Sequence, residues 1–202
     1  MIKMKSWLVA GLCSAGAAPL LAGCATPEDA KPIVGRTSAL LPMTYPADNS
    51  TSPAEVALGE QLFADTRLSI AGKAACQNCH FRDLGWTDAK ALSPKEDGSV
   101  NSRRTQMLYN VGHPSLWYWD GRAATLEAQT LAAWRGQTLG DPVKVAALLN
   151  TLPGYVTQFQ TVYGGPSTPD NIIKCLTTFF RTLNSENALC DKYEMGDVKA
   201  RC

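Results

Sequence analysis

The stretch "AACQNCH", residues 74–80, constrains this chain more than any other. Two thiols, Cys76 and Cys79, flank two residues, and the imidazole of His80 follows at once. Four explanations compete. A structural zinc site needs about four ligands, usually a second Cys/His pair. The one other histidine is His113, and there is no second Cys-x-x-Cys. A redox disulfide motif belongs in a thioredoxin-like βαβ context, and strand-like alternation is scarce in this chain. Chance is a poor account: with seven cysteines and two histidines, composition alone gives the pattern in roughly a few chains per thousand. Attachment of a c-type haem remains. Cys76 and Cys79 lie on one side of a single turn, so each can form a thioether with a haem vinyl group. His80 then stands against the iron and binds it through a ring nitrogen.

Covalent attachment suits a protein outside the cytoplasm, and the N-terminus agrees. "MIKMK" is a short basic start, followed by the apolar run "SWLVAGLCSAGAAPLLAG". Gly11, Gly16 and Pro19 interrupt that run, which marks a secretory signal rather than a spanning helix of about 20 unbroken apolar residues. It ends in "LAGC", which resembles a bacterial lipobox; the resemblance implies lipidation of Cys24 and, with Ala25 next, the outer membrane of the cell envelope. Plain secretion, with Cys24 removed or incidental, is the alternative. The expected organisation is a lipoprotein signal peptide over 1–23, a flexible tether over 24–51 rich in Pro, Ser, Thr and Ala, and one haem domain over 52–202. A formal net charge of +1 argues against a nucleic-acid binder, which normally carries a basic excess. Cys175, Cys190 and Cys202 form an odd set for an oxidising compartment. A Cys190–Cys202 bridge is one pairing open to them, with Cys175 left buried on a helix.

Helix signals dominate the rest. Ser52-Pro53-Ala54-Glu55 reads as a capping box with a proline start. Helices are expected near 123–134, over 143–151 behind Asp141-Pro142, and from Thr168-Pro169-Asp170 onward. In the last, Ile172, Ile173, Leu176, Phe179, Phe180 and Leu183 fall on one face. "LPGY" at 152–155 reads as a break. Residues 81–122 carry several glycines and prolines, with Trp86, Trp117, Tyr118 and Trp119, and have no sustained period. A loop of that length stays ordered most readily by packing on a large cofactor. The expected fold is all-α: a cytochrome c-like helical domain with long loops wrapped around one covalently bound haem.

The flanking motifs "LGEQLFADTRLS" (58–69), "GWTD" (85–88), "RRTQMLYN" (103–110), "WDGR" (119–122), "LEAQ" (126–129) and "DKYEMGD" (191–197) occur in an order that resembles the N-terminal haem domain of the bacterial dihaem cytochrome c peroxidases and the related methylamine-utilisation haem enzymes. The match runs over roughly residues 53–197. It implies that one haem meets hydrogen peroxide, while a second haem domain receives electrons from a small donor, a cytochrome or cupredoxin. It also implies roles for Trp119 on the path between haems, Arg103 near the haem, Gln129 in the pocket and Asn110 near an interdomain calcium ion.

Three departures follow. There is no second Cys-x-x-Cys-His before "KARC"; a truncated gene, a second haem protein as partner, or a lone carrier would each account for it. No His or Met lies between Phe81 and Ser102, so the iron is five-coordinate or takes His113 or Met107 as its distal ligand; the plain alternative for His113 is a turn histidine beside Pro114. No carboxylate lies between Ala128 and Gly140, where the family places a catalytic glutamate. Gln137 stands near that position, and an amide can orient peroxide but cannot exchange a proton as a general acid–base. The expectations are therefore a peroxide-reducing haem domain, a non-catalytic monohaem electron carrier, or a haem-based ligand sensor.

Overall fold

The computed structural model describes residues 40–49 and 51–200. The expected signal segment, Cys24, most of the tether and Cys202 lie outside the described residues. Six α-helices occur among them: α1 (Pro53–Ala64), α2 (Leu126–Gln137), α3 (Pro142–Leu149), α4 (Pro153–Tyr163), α5 (Pro169–Thr182) and α6 (Leu189–Glu194).

Local chemistry explains most of the helix starts. Proline opens α1, α3, α4 and α5, where its missing N–H costs no hydrogen bond. The Ser52 hydroxyl accepts the Glu55 N–H at 3.1 Å. The Asp141 carboxylate accepts from Val143 and Lys144 at 3.0 and 3.2 Å. Thr168 and Asn171 cap each other reciprocally. Each such cap contributes about 1 kcal/mol. α2 starts three residues later than the sequence pattern predicts, because Ala123 is held in a bridge to Trp117 and Thr125 supplies the cap. "LPGY" is only half a break, since Pro153 already opens α4. The box at Ser52 is also incomplete. Glu55 turns inward instead and accepts hydrogen bonds from the Tyr163 and Thr178 hydroxyls at 2.7 and 3.2 Å.

α5 is the centre of the core. Ile172, Ile173, Leu176, Phe179 and Phe180 are all buried, and α1 lies against them through Leu58, Leu62 and Phe63. Gly59 lets the two backbones meet: a Cβ there would collide with the Cys175 carbonyl. Phe63 packs on Phe179, Phe180 and Trp86 with centroids 5.3, 6.0 and 5.7 Å away. Cys175 is fully buried in α5, and Cys190 is disulfide-bonded.

Residues 81–122 form the expected long loop, with nothing longer than a single 3-10 turn. Three isolated bridges pin it, Phe81 to Thr87, Pro94 to Val100 and Trp117 to Ala123. The expected tether is not free to its end. The Leu40 N–H donates to Asp191 and the Met43 N–H to Glu186. Asn49, only 3% exposed, bonds Glu127, Thr177 and Thr178. Residues 40–49 are thus a strap across α5 and α6, held by polar contacts that local composition does not reveal.

Candidate functional site

The motif at 76–80 closes as a tight turn. The Asn78 side-chain oxygen accepts the Ala75 N–H at 2.7 Å, and the Cys79 and His80 N–H groups both donate to the Cys76 carbonyl at 3.1 Å. The loop before it is tied down by Glu96, which accepts from the Ser69 hydroxyl and from the N–H groups of Ala71 and Lys73. Slight desolvation acts to raise the Glu96 pKa, but those donors outweigh it and hold the carboxyl below its usual range.

His80 Nδ1 lies 2.7 Å from the Trp86 carbonyl oxygen. A carbonyl only accepts, so Nδ1 carries the proton and Nε2 keeps its lone pair. Burial lowers the His80 pKa, against the opposing pulls of the Trp86 carbonyl, the nearby Asp88 charge and the Gln106 backbone. The ring therefore rests as the neutral imidazole, the form that binds iron. Cys76 and Cys79 are free thiols. Burial, with Cys79 beside it, pushes Cys76 up to about 12; burial and the Asp88 charge raise Cys79. A redox pair needs a depressed thiol pKa, and this pair has the reverse.

Both thiols and His80 line a cavity of about 440 Å³, within the range of roughly 300–1,000 Å³ usual for cofactor and ligand pockets. Four other segments complete its wall. Residues 101–108 bring Arg103, Arg104 and Met107, the 117–122 turn brings Trp117 and Trp119, α2 brings Gln129, Trp134 and Gln137, and α5 brings Leu176 and Phe180. Two thiols, a neutral imidazole and a roomy, largely apolar wall fit a haem c held by Cys76, Cys79 and His80. When bound, that group supplies the redox iron.

The fold therefore gathers Arg103, Met107, Trp119, Gln129 and Gln137 around the motif, although they span 35 residues of sequence from first to last. His113 is not among the lining residues. Its N–H donates to the Asn110 carbonyl, and its Nε2 is buried without a hydrogen-bond partner among the described residues. Asn110 commits its amide to Ser185, accepting from the Ser185 N–H at 2.9 Å and donating to its hydroxyl at 3.0 Å. No group of three or more His, Cys, Asp or Glu with metal-holding geometry occurs among the described residues. Trp86 sits behind His80 in the aromatic core rather than on the cavity. Trp134 lines the cavity while donating its indole N–H to the Leu68 carbonyl at 2.6 Å.

Sequence reasoning overlooked Arg104, Lys95, Leu176, Phe180 and Thr130 as lining residues. The last carries a buried hydroxyl with no hydrogen-bond partner among the described residues. The stripe Gln129, Thr130, Ala133, Trp134 and Gln137 repeats at steps of one, three, one and three. That spacing was a legible signal of a shared helical face.

The comparisons with known proteins place the chain in one family. A family model for di-haem cytochrome c peroxidase matches residues 53–199. The cytochrome-c peroxidase IdrP1 of Pseudomonas sp. (strain SCT) is 33% identical over 181 residues, covering 87% of this chain and 47% of that protein. The methylamine utilization protein MauG of Methylorubrum extorquens is 35% identical over 163 residues, covering 77% of this chain and 45% of that protein. A crystal structure of a MauG-like protein associated with microbial copper homeostasis shares the fold, with a TM-score of 0.70 at 24% identity over 80% of this chain and 49% of that one. The chain spans about half the length of the curated relatives it matches. With its haem-attachment motif on the wall of a cofactor-sized cavity and the family model matched across the helical domain, this chain belongs to the di-haem cytochrome c peroxidase family.

Proposed function

We propose that this chain is a periplasm-facing, lipid-anchored haem c domain that reduces hydrogen peroxide with electrons from a partner protein, a donor cytochrome or cupredoxin or a second haem protein. One observation carries the reading: His80, its Nδ1–H engaged by the Trp86 carbonyl, shares a cavity with Gln129 and Gln137. An imidazole fixed by such a hydrogen bond is a strong iron ligand, and two amides on the cavity wall can orient a peroxide by hydrogen bonding. Trp119 lines the same cavity and is 73% exposed, which supports it as the route by which electrons pass inward. The Cys-x-x-Cys-His at 76–80 supports a haem held by this domain.

Reading the optical spectrum of the holoprotein, matured with intact cytochrome assembly, before and after peroxide tests this. The expected result is a high-spin ferric haem that reacts within seconds and turns over when a donor is supplied. An inert low-spin haem sinks the peroxidase reading. It would instead favour a monohaem electron carrier, which Met107 on the cavity wall supports as sixth ligand. Glu96 favours the carrier too: it is the one carboxylate on that wall among the described residues, and it is engaged as an acceptor by the 69–73 loop.

A further inference from the structure

Thr130 lines the cavity and is only 5% exposed. Its hydroxyl oxygen is buried with no hydrogen-bond partner among the described residues. The other buried side-chain atoms in that condition, on Asp88, His113, Gln158 and Arg181, belong to residues off the cavity wall. A threonine on a helix often bonds the carbonyl three or four residues back. Here neither Glu127 nor Leu126 accepts it. A buried hydroxyl without a partner is costly, so its place on this wall points to a partner inside the cavity.

Its position on α2 is central. At 3.6 residues per turn, the wall residues Gln129, Ala133, Gln137, Thr130 and Trp134 fall at about 0°, 40°, 80°, 100° and 140° around the helix axis. Gln129 and Trp134 flank the stripe, and Thr130 and Gln137 occupy its middle. Gln137 is exposed, and the Trp134 N–H is committed to the Leu68 carbonyl. Ala133, set between them, presents only a methyl group. Thr130 is therefore the buried hydrogen-bonding side chain of this stripe. The motif turn leans instead on α1, with the His80 ring centroid 6.4 Å from that of Phe63, so the imidazole and the α2 stripe form separate walls. The Thr130 oxygen is closed off from open space in this structure. Rotation about χ1 exchanges it with the methyl group, and threonine on a helix divides between two such rotamers.

We propose that Thr130 positions the small ligand bound in this cavity: its hydroxyl turns inward and donates a hydrogen bond to the ligand. The inference rests on the haem and peroxide reading above and deepens it, adding a buried hydroxyl to the two amides. A hydroxyl donates and accepts at once, so it can hold both an oxygen and an O–H of peroxide. It keeps its own proton, so it orients the ligand without supplying the acid–base group missing between Ala128 and Gly140.

The test is equilibrium binding of two ligands to the holoprotein. Fluoride, on the ferric protein, only accepts hydrogen bonds; carbon monoxide, on the ferrous protein, takes up the same space and depends little on them. Thr130→Val keeps the shape and removes the donor. It should weaken fluoride about tenfold, the worth of one hydrogen bond to an anion, and leave carbon monoxide unchanged. Thr130→Ser should bind fluoride nearly as the parent does. An unchanged fluoride affinity in Thr130→Val overturns the proposal. So does an equal loss of both ligands, which marks altered shape, or an equal loss of fluoride in Thr130→Ser. Thr130→Ala replaces a Thr130→Val protein that does not keep the parent's spectrum and melting temperature. No turnover is read, so a protein that binds both ligands but fails to reduce peroxide still tests the hydroxyl. A parent protein that binds neither overturns the open-iron reading and this assignment with it.

Discussion

At the scale of the residue, the decisive question is where protons sit. His80 is neutral because burial disfavours its cation, and its proton is on Nδ1 because a backbone carbonyl is there to receive it. The cavity wall offers amides where acid–base chemistry wants a carboxylate. Gln137 lies at the C-terminal end of α2 on that wall, where a carboxylate would add a group able to exchange protons. Gln137→Glu is expected to raise the rate of peroxide reduction by at least about tenfold, the low side of what a positioned general acid–base supplies. Stopped-flow kinetics of the ferric holoprotein with peroxide would check it. An unchanged rate would mean that residue 137 does not reach the reacting oxygen. The motif was legible because its three groups fall within one turn. Whether His113 or Met107 lines the cavity depended on how a 42-residue irregular segment folds back, and no local pattern encodes that.

At the scale of the element, α1 and α5 are held by their closest approach. Gly59 faces the Cys175 carbonyl and the Phe179 Cβ with no room for a methyl group. Both are rigid, one being backbone and the other the root of a packed side chain, so the helices themselves must separate. Gly59→Ala is expected to cost roughly 1–3 kcal/mol despite alanine's better helix propensity. That corresponds to a fall in melting temperature of roughly 2–12 °C, readable by circular dichroism. A neutral or stabilising result would show that α1 is free to shift. The caps and the apolar face of α5 were plain in the sequence because they are relations between residues three or four apart. The inward turn of Glu55 was not, since its partners Tyr163 and Thr178 come from α4 and α5.

At the scale of the whole molecule, one polar cluster joins three distant segments. Glu127 on α2 lies 2.8 Å from Arg181 on α5, an ion pair rather than an aligned hydrogen bond. It also accepts from Thr177 and from Asn49 of the strap. Burial acts to raise the Glu127 pKa, but Arg181 and Thr177 outweigh it and hold it below its ordinary 4.5. The folded state therefore binds fewer protons than the unfolded state between those two values. The stability this supplies is complete above about pH 4.5 and is lost as pH falls through the lower, folded value. The melting temperatures of Glu127→Gln and of the parent protein should differ at pH 7 and converge as the pH falls below 4.5 through the lower, folded value; a gap independent of pH would remove Glu127 from the acid response. At the surface, Trp119→Ala should leave the ferric spectrum unchanged while slowing electron transfer from a donor by about 10- to 30-fold, the worth of an interface hot spot of about 2 kcal/mol. Equal rates for both proteins would dismiss it as the contact residue. By itself the sequence determined the haem-attachment turn, the helix starts and the apolar face of α5, because each rests on covalent spacing or on contacts within one helical turn. Tertiary structure alone decided which side chains share the cavity, which hydroxyl is left unpaired on its wall and how residues 40–49 are fastened. Those depend on groups far apart in the chain meeting in space, where packing and the pairing of buried polar atoms select the partners.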